Sequence, residues 1–381
     1  MKAAIVGTGF MGAAHSEALR RLGIGVVGAL GSQPGKAQAF AHRQGIPRIY
    51  DSMEDLVADP NVQVVHLCTP NHLHYPAAKA ALEAGKHVVC EKPLATSSAQ
   101  AAELVRLAKT RRRVGAVSYN LRFYPMNQEA HARIRAGQIG VPRILHAEYC
   151  QDWLFLPSDW NWRLVPEQGG ELRAVGDIGT HVLDMLMWLT GLQVTEVMAD
   201  MATFIPVRHR PRHAVETFSG TLGASPDAEE VEIRTEDVAT MLLHLDNGAR
   251  GVITLSQVSA GRKNNFWWEI NGSEASLYWC QEQPNELWVG HRDRPNEILL
   301  KDPALMQPEV RRYAAYPGGH AEGYPDTFVR CFSDVYSYIE AGVYGEAPTF
   351  ATFEDGWREL VLCEAILCSA SERRWVDVEV R

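Results

Sequence analysis

Two short stretches of the chain hold the residue types that alcohol oxidation or ketone reduction demands. Cys90-Glu91-Lys92-Pro93 closes an apolar run, and Asp177-Ile178-Gly179-Thr180-His181 opens an amphipathic one. Taking hydride from a secondary alcohol requires an acceptor held about 3–3.5 Å from the C–H bond. It also requires a base for the hydroxyl proton and a cation for the charge developing on oxygen. An imidazole titrates near neutral pH, which suits His181 as the base, and Lys92 suits the cation. Asp177 and His181 stand four residues apart, so a helix places them on one face, where Asp177 orients the imidazole or accepts from a substrate hydroxyl. Each cluster alone also has a plainer reading: a lysine after a strand is commonly solvated, and an aspartate at a helix start is commonly its cap.

The hydride acceptor has its own signature. Gly7-Thr8-Gly9-Phe10-Met11-Gly12 reads GxGxxG, directly after an apolar run over 3–6 and before a helical pattern over 13–22. In that setting Gly7 permits the tight turn, Gly9 lets the backbone approach a pyrophosphate, and Gly12 lets helix and strand pack closely. The helix start then offers N–H groups to the phosphates. The acid that commonly grips the ribose 2′-hydroxyl at the end of the second strand is missing, because no Asp or Glu occurs between Gly23 and Tyr50. Gly31 takes that place, followed by Ser32 and Gln33, with Lys36 one helical turn on. A 2′-phosphate meets a hydroxyl and a cation here rather than a carboxylate, which favours NADP over NAD. The alternative is NAD held through backbone and water.

The elements that position these groups follow from periodicity. Short apolar runs over 3–6, 26–30, 62–68, 87–90 and 114–119 alternate with helical patterns over 13–22, 35–44 and 75–84 and a helix opened by a Ser97/Gln100 capping box. Continuous apolar strands alternating with helices imply a parallel sheet covered on both faces. After residue 122 the pattern changes. A helix over 125–136 is followed by polar/apolar alternation over 144–151, a hairpin over 236–258 turning at Asp246-Asn247-Gly248, and strands over 265–271 and 275–280 joined at Asn271-Gly272. This predicts an α/β chain of two domains: a Rossmann fold over 1–122, and an α+β domain over 123–381 with a large, mostly antiparallel sheet. Residues 206–235 are polar and aperiodic and are expected to be a loop. Residues 302–326 are expected to be a long connection rich in Pro and Gly, and a helix over 354–370 to pack back toward the first domain. Asp177 is expected to cap the helix that Ile178, Val182, Met185, Leu186 and Leu189 make amphipathic.

Length and composition fit this plan. The chain has 381 residues, 46% hydrophobic and 22% charged, enough for two sizeable cores. Lys+Arg 37 against Asp+Glu 46 gives a net charge of −9, which argues against nucleic-acid or anionic-membrane partners. No run is long enough to span a bilayer. The first apolar run is broken by Gly7, Gly9 and Gly12 and followed by His15 and Glu17, unlike a secretory leader. Seven cysteines with no CxxC indicate neither a disulfide framework nor a metal site, so a reducing, cytoplasmic setting is expected.

With GTGFMG, TPNHLH (69–74), AGKHVVCEKPL (84–94) and GDIGTHVLD (176–184) together, nearly the whole chain resembles the glucose–fructose oxidoreductase/inositol dehydrogenase (Gfo/Idh/MocA) family. The resemblance implies that Lys92, Asp177 and His181 are the catalytic trio. It implies that Glu91 and Pro93 shape the nicotinamide site, often through a cis Lys–Pro bond, and that Thr69, Pro70, Asn71 and His74 run beside the cofactor. The stretches QDW (151–153), NWR (161–163), 261–276 and 316–326 are similar to the levoglucosan dehydrogenase-like branch. Trp153 or Trp162 then offers an apolar face to a pyranose ring, Arg163 or Arg122 hydrogen-bonds its hydroxyls, and His320 is a further substrate contact. The alternative for both tryptophans is a core or interface role.

These readings converge on an NAD(P)-dependent oxidoreductase acting on a ring hydroxyl of a sugar, sugar derivative or cyclitol, with Lys92 and His181 meeting at one oxygen. A glycosidase working through transient oxidation, and a cofactor-binding sensor without turnover, are the alternatives. Trp267 and Trp268 are adjacent on a strand and point to opposite faces, so one is expected to meet a partner or the substrate, in a homodimer or homotetramer formed through the sheet.

Overall fold

The computed structural model describes residues 1–212, 227–342 and 347–379. Its first 120 residues run β1 (Lys2–Val6), α1 (Phe10–Arg21), β2 (Gly25–Leu30), α2 (Pro34–Gln44), α3 (Met53–Ala58), β3 (Val64–Leu67), α4 (His74–Glu83), β4 (His87–Cys90), α5 (Ser98–Arg111) and β5 (Gly115–Val117). The strands form one parallel sheet in the order β2-β1-β3-β4-β5. Ala3, Ala4 and Ile5 on β1 and Val64 and Val65 on β3 are fully buried, as strands covered on both faces must be. The order reverses between β1 and β3, and ligands of open parallel sheets lie outside the strand ends at such a switch point. Helix α1 begins at Phe10, three residues ahead of the periodic signal, because the glycine turn feeds straight into it. The six-residue α3 is too short to show a period, but Ser52 caps it by accepting from the Asp55 N–H at 3.1 Å.

Beyond residue 120 the chain runs α6 (Pro125–Arg135), β6 (Pro142–Cys150), α7 (Pro166–Gly169), α8 (Thr180–Thr190), β7 (Val194–Ala202), β8 (Val207–Arg210), β9 (Glu229–Glu232), β10 (Val238–Leu245), β11 (Arg250–Ser256), β12 (Asn265–Gly272), β13 (Ala275–Cys280), β14 (Glu286–His291), β15 (Glu297–Leu300), α9 (Tyr324–Ala341), α10 (Phe353–Glu372) and β16 (Val376–Asp377). Nine of these strands form a sheet in the order β15-β14-β13-β12-β6-β11-β10-β7-β16, antiparallel except for the β6/β11 pair. The loop expected over 206–235 is corrected in part: β8 and β9 pair as a separate ribbon, while residues 213–226 lie outside the described residues. Charged residues dominate both ribbon strands, which hid their pairing from an apolar-alternation search. The connection over 302–326 contains a 3-10 turn (Pro308–Tyr313) and is pinned by the buried ion pair of Lys301 Nζ and Glu322 Oε2 at 2.8 Å.

Two compact units result: Met1–Asn120 with Glu167–Gly170 and Pro325–Leu360, and Leu121–Pro166 with Glu171–Tyr324 and Val361–Arg381. In the second, the cross-strand row Val197, Leu243, Leu145, Ile270, Leu277 and Val289 lies buried on one sheet face. Trp268 shares that side, fully buried, its indole N–H donating to Asn127 Oδ1 on α6 at 3.1 Å. The opposite face carries the row Met198, Leu242, Val252, His146, Glu269, Tyr278, Trp288 and Ile298. Trp267 lies on this second face, 5.9 Å from the Tyr278 ring. Among the described residues no helix is long and apolar enough to cross a membrane.

Candidate active site

In the first unit the glycines form a cradle at the end of β1. Gly7 has φ +104°, and a Cβ there would stand 2.4 Å from the Cys68 carbonyl oxygen. A Cβ on Gly12 would stand 2.1 Å from the Gly7 oxygen, whereas one on Gly9 would meet open space. Side chains are therefore barred where the turn closes on itself, and room is left at the glycine that precedes α1. No side chain caps α1 and no acid sits in its first turn, so its positive end is not neutralised from within. Thr69 Oγ1, at the end of β3, is a buried hydroxyl with no partner. Room, an uncapped helix start and an orphaned donor together fit the diphosphate of a dinucleotide. Phe10, at the mouth of the turn, is 48% exposed. A Cβ on Gly31 would come within 2.9 Å of Thr8 Cγ2 and 3.1 Å of Ala37 Cβ, so an acid there would displace Thr8, while Ser32 and Lys36 are exposed.

The neighbouring strand ends meet through His74. Its ring nitrogens lie 2.7 Å from the Pro93 carbonyl and 2.9 Å from the Thr69 carbonyl, joining the two motifs. Burial holds this imidazole below its ordinary range against the pull of both carbonyls. The Asn71 amide donates to the Gly169 carbonyl at 2.7 Å, and Pro70 beside it is half-buried. The Lys92–Pro93 peptide is cis, as the resemblance implied. Lys92 is half-buried and Glu91 is buried.

The second unit assembles Asp177, Arg163 and two indoles. Residues Val175–Gly179 wind as a single π-turn ahead of α8, a rare feature that favours functional sites. The expected cap role of Asp177 is corrected by this turn: the residue before α8 is Gly179, in helical conformation, and Asp177 sits inside the turn. Gly179 allows the turn to abut β11, since a Cβ there would stand 2.6 Å from Leu255 Cδ1. Asp177 Oδ1 accepts from Arg163 Nε at 2.9 Å, and Oδ2 accepts from Gln257 Nε2 at 2.9 Å. The Arg163 guanidinium lies over Trp162 at 4.4 Å and Trp153 at 5.8 Å. The Trp153 N–H donates to Gln151 Oε1 at 2.8 Å, while Gln151 Nε2 and the Tyr149 hydroxyl both donate to Asn264 Oδ1, at 2.7 and 2.8 Å. The buried His181 ring lies 6.5 Å from that of Tyr149. Burial, and then the Asp177 charge, push the Tyr149 phenol far above its ordinary range, so it remains a neutral hydroxyl.

A buried charge cluster holds this arrangement. Asp237 Oδ1 accepts from both Arg173 and Arg208, and its Oδ2 accepts from the Ile205 N–H at 2.8 Å. Arg208 also donates to the carbonyls of Leu154 and Leu156, at 2.8 and 2.9 Å, in the strip leading to Trp162 and Arg163. The Glu236 carboxylate accepts from the backbone N–H groups of Arg173 and Val175, at 2.9 and 2.8 Å, where the π-turn begins. The 154–156 strip and the start of the π-turn are thus tied to one two-residue acidic segment.

Two further expected substrate contacts have the following surroundings. Arg122 forms a buried bidentate pair with Asp184, Nε to Oδ2 at 2.9 Å, and lies 5.6 Å from the Trp188 ring. Its Nε and one terminal nitrogen thus donate to α8. His320 is exposed, its Nδ1 3.3 Å from the Gly318 carbonyl, and Glu322 is the buried anchor of that loop. Sequence reasoning missed Gln257, Tyr149 and Asp237. Gln257 carries no local signal, being 80 residues from its partner Asp177.

A family model described as an oxidoreductase family with an NAD-binding Rossmann fold matches residues 1–121, and one described as the GFO/IDH/MocA C-terminal domain matches 127–278. The chain is 30% identical to a levoglucosan dehydrogenase of Pseudarthrobacter phenanthrenivorans over 394 residues, covering 98% of this chain and 97% of that one. A solved structure of levoglucosan dehydrogenase with NADH and L-sorbose matches at TM-score 0.88 and 29% identity, covering 100% and 99% of the two chains. An NAD-binding oxidoreductase from Klebsiella pneumoniae matches at TM-score 0.88 and 32% identity, with both chains fully covered.

Proposed function

The chain belongs to the Gfo/Idh/MocA family of NAD-dependent oxidoreductases, and on that premise we propose that it oxidises a ring hydroxyl of a sugar, sugar derivative or cyclitol, or reduces the matching ketone. The observation that carries the substrate class is the Asp177–Arg163 pair against the Trp162 and Trp153 faces in the unit that holds His181. Sugars are recognised by aromatic faces beside clustered donors and acceptors, and this cluster supplies both. When bound, the nicotinamide cofactor supplies the hydride acceptor. Gly7, Gly9 and Gly12 with the start of α1 and the Thr69 hydroxyl would hold its diphosphate, and Pro70, Asn71, His74, Glu91 and Pro93 would line the rest of it. His181 takes the hydroxyl proton and the Lys92 ammonium stabilises the charge on that oxygen. Asp177, fixed through Arg163 and Gln257, accepts from a neighbouring hydroxyl. Arg122 remains a candidate hydroxyl donor, with Nε and one terminal nitrogen on Asp184.

The cofactor with the 2′-phosphate is preferred in this reading, since Gly31 carries no acid and Ser32 and Lys36 stand exposed beside it. One initial-rate experiment tests both statements: NAD(P)H formation across a panel of sugars and inositols with each cofactor. We expect NAD(P)H to accumulate in step with ketone, and KM to be lower for NADP. Cleavage of glycosides with no net change in cofactor would replace the dehydrogenase with a glycosidase. A clear preference for NAD would remove the cofactor assignment alone.

The open face of the nine-stranded sheet supports a homodimer or homotetramer. Ile144, Leu242 and Ile298 are 43%, 45% and 61% exposed on it, and Met198, Val252, Tyr278 and Trp288 share that face. Light scattering at micromolar concentration is expected to give twice or four times the 42.4 kDa chain mass, and a monomer would reject this interface.

A further inference from the structure

The first unit contains a line of four ionisable side chains, three of which (His15, His66 and Tyr336) the chemistry above leaves unused. Glu91, next to Lys92, lies with Oε1 3.0 Å from Nε2 of His15 on α1. The second ring nitrogen of His15, Nδ1, is 3.0 Å from Nδ1 of His66 on β3, and His66 Nε2 is 3.0 Å from the Tyr336 hydroxyl on α9. Both histidines are fully buried, and Glu91 and Tyr336 nearly so. Phe332 closes edge-on over both rings, with centroids 4.7 Å from His15 and 4.9 Å from His66.

In so dry a place each polar atom needs a partner, and valence then assigns the protons. Burial pushes the Glu91 carboxyl up, but the His15 bond and the neighbouring charges of His15 and Lys92 outweigh it, leaving the group below its ordinary value. A carboxylate only accepts, so His15 donates from Nε2. If His15 is neutral, its Nδ1 accepts from His66 Nδ1–H, and His66 Nε2 accepts from the Tyr336 hydroxyl. If His15 is charged, its Nδ1–H donates to His66, whose Nε2–H then donates to the Tyr336 oxygen. The bond to Glu91 is identical in both states. An imidazole at 66 and a hydroxyl at 336 permit this because each can donate or accept. The other titratable groups facing the line are Cys68, Cys90, His74 and Lys92. Burial, and then the Glu91 charge, drive both thiols well up, so they stay neutral. Burial and His15 drive His66 down, in keeping with a neutral ring.

We propose that His15, His66 and Tyr336 are positioning residues that fix the Glu91 carboxylate, and through it the adjacent Lys92 ammonium, in either charge state of His15. The inference rests on the role given to Lys92, and its test separates the two. Nitrogen-15 NMR on the whole chain with labelled histidine reads each tautomer without any substrate. We expect the His15 proton on Nε2 throughout, and the His66 proton to move from Nδ1 to Nε2 whenever His15 gains charge. A His15 protonated only on Nδ1 overturns the line. In turnover, His66→Leu is expected to lower kcat by about tenfold to a hundredfold, and Tyr336→Phe by less, with KM for the cofactor unchanged. In His66→Leu the buried Nδ1 of His15 loses its partner and the ring is expected to turn from Glu91; with that bond gone the carboxyl rises and the acid limb of the kcat profile moves to higher pH. His66→Asn keeps a group that donates or accepts toward His15 and is expected to restore most of kcat. Where His66→Leu fails to fold, Tyr336→Phe carries the test. Wild-type kcat and pH profile in a folded variant overturn the positioning role. Full activity in Lys92→Ala, with the tautomers as expected, overturns the reading of Lys92 and leaves the line standing.

Discussion

Replacing His181 by Ala lowers kcat by about a thousandfold, within the range for losing a general acid–base group, and leaves cofactor affinity as it was. The separation follows from where the groups lie. The glycine cradle, the Thr69 hydroxyl and the start of α1 belong to the first compact unit, and His181 is buried in α8 of the second. Lys92→Ala is expected to lose about a hundredfold to a thousandfold, the scale for removing one preorganised donor to a developing oxyanion. Lys92→Arg does not rescue it fully, because a planar guanidinium does not replace a compact ammonium at one oxygen. Paired measurements of kcat and of cofactor affinity by fluorescence titration check this. Near-wild-type turnover in both alanine variants rejects the assigned roles.

The second large effect is on stability. Asp237→Ala removes the one carboxylate shared by two buried guanidinium groups, Arg173 and Arg208, each with a fully buried side chain. Breaking a buried pair while leaving its cations in place costs about 3–5 kcal/mol. With a shift of about 2–4 °C per kcal/mol for a unit of this size, the melting temperature falls by roughly 10 °C. The pH dependence has a definite sign. Burial pushes the Asp237 carboxyl up, but Arg173 above all, with the Ile205 N–H and Arg208, outweighs it, so its folded-state value lies below the ordinary one. Its contribution is therefore present above the unfolded value near about pH 4 and is lost as pH falls further. Burial raises Glu236 instead, so that neighbour opposes the trend as it ionises. Thermal unfolding of wild type and variant at neutral and acid pH checks this, and equal melting temperatures at neutral pH would contradict it. Because the same cluster ties the 154–156 carbonyls and the start of the π-turn, the variant is also expected to lose activity.

How much of this was legible in the sequence depends on the range of the interaction. The glycine turn and the parallel sheet were readable because each strand is a short apolar run between a turn and a helix, and the signal is local. Cys90-Glu91-Lys92-Pro93 and the segment from Asp177 to His181 were readable because their chemistry is packed into adjacent residues. The cap role read for Asp177 failed because a π-turn adds a residue to the winding, and nothing in the side chains announces that insertion. The pairing of Arg122 with Asp184, 62 residues away, carried no local signal. The Asp237 cluster and the His15–His66–Tyr336 line join residues brought together only by tertiary packing, His66 to Tyr336 across 270 positions. The ribbon of β8 and β9 is charged on most positions, so no buried face betrayed it.

The proposed reaction requires Lys92 and His181 to act on one substrate oxygen. The most direct measurement is a crystal structure of the chain with its nicotinamide cofactor and a sugar that turns over. One ring oxygen of that sugar is expected within hydrogen-bond reach of both Lys92 Nζ and a ring nitrogen of His181, with Asp177 on an adjacent hydroxyl. A productive complex in which either nitrogen contacts no part of the sugar would contradict it.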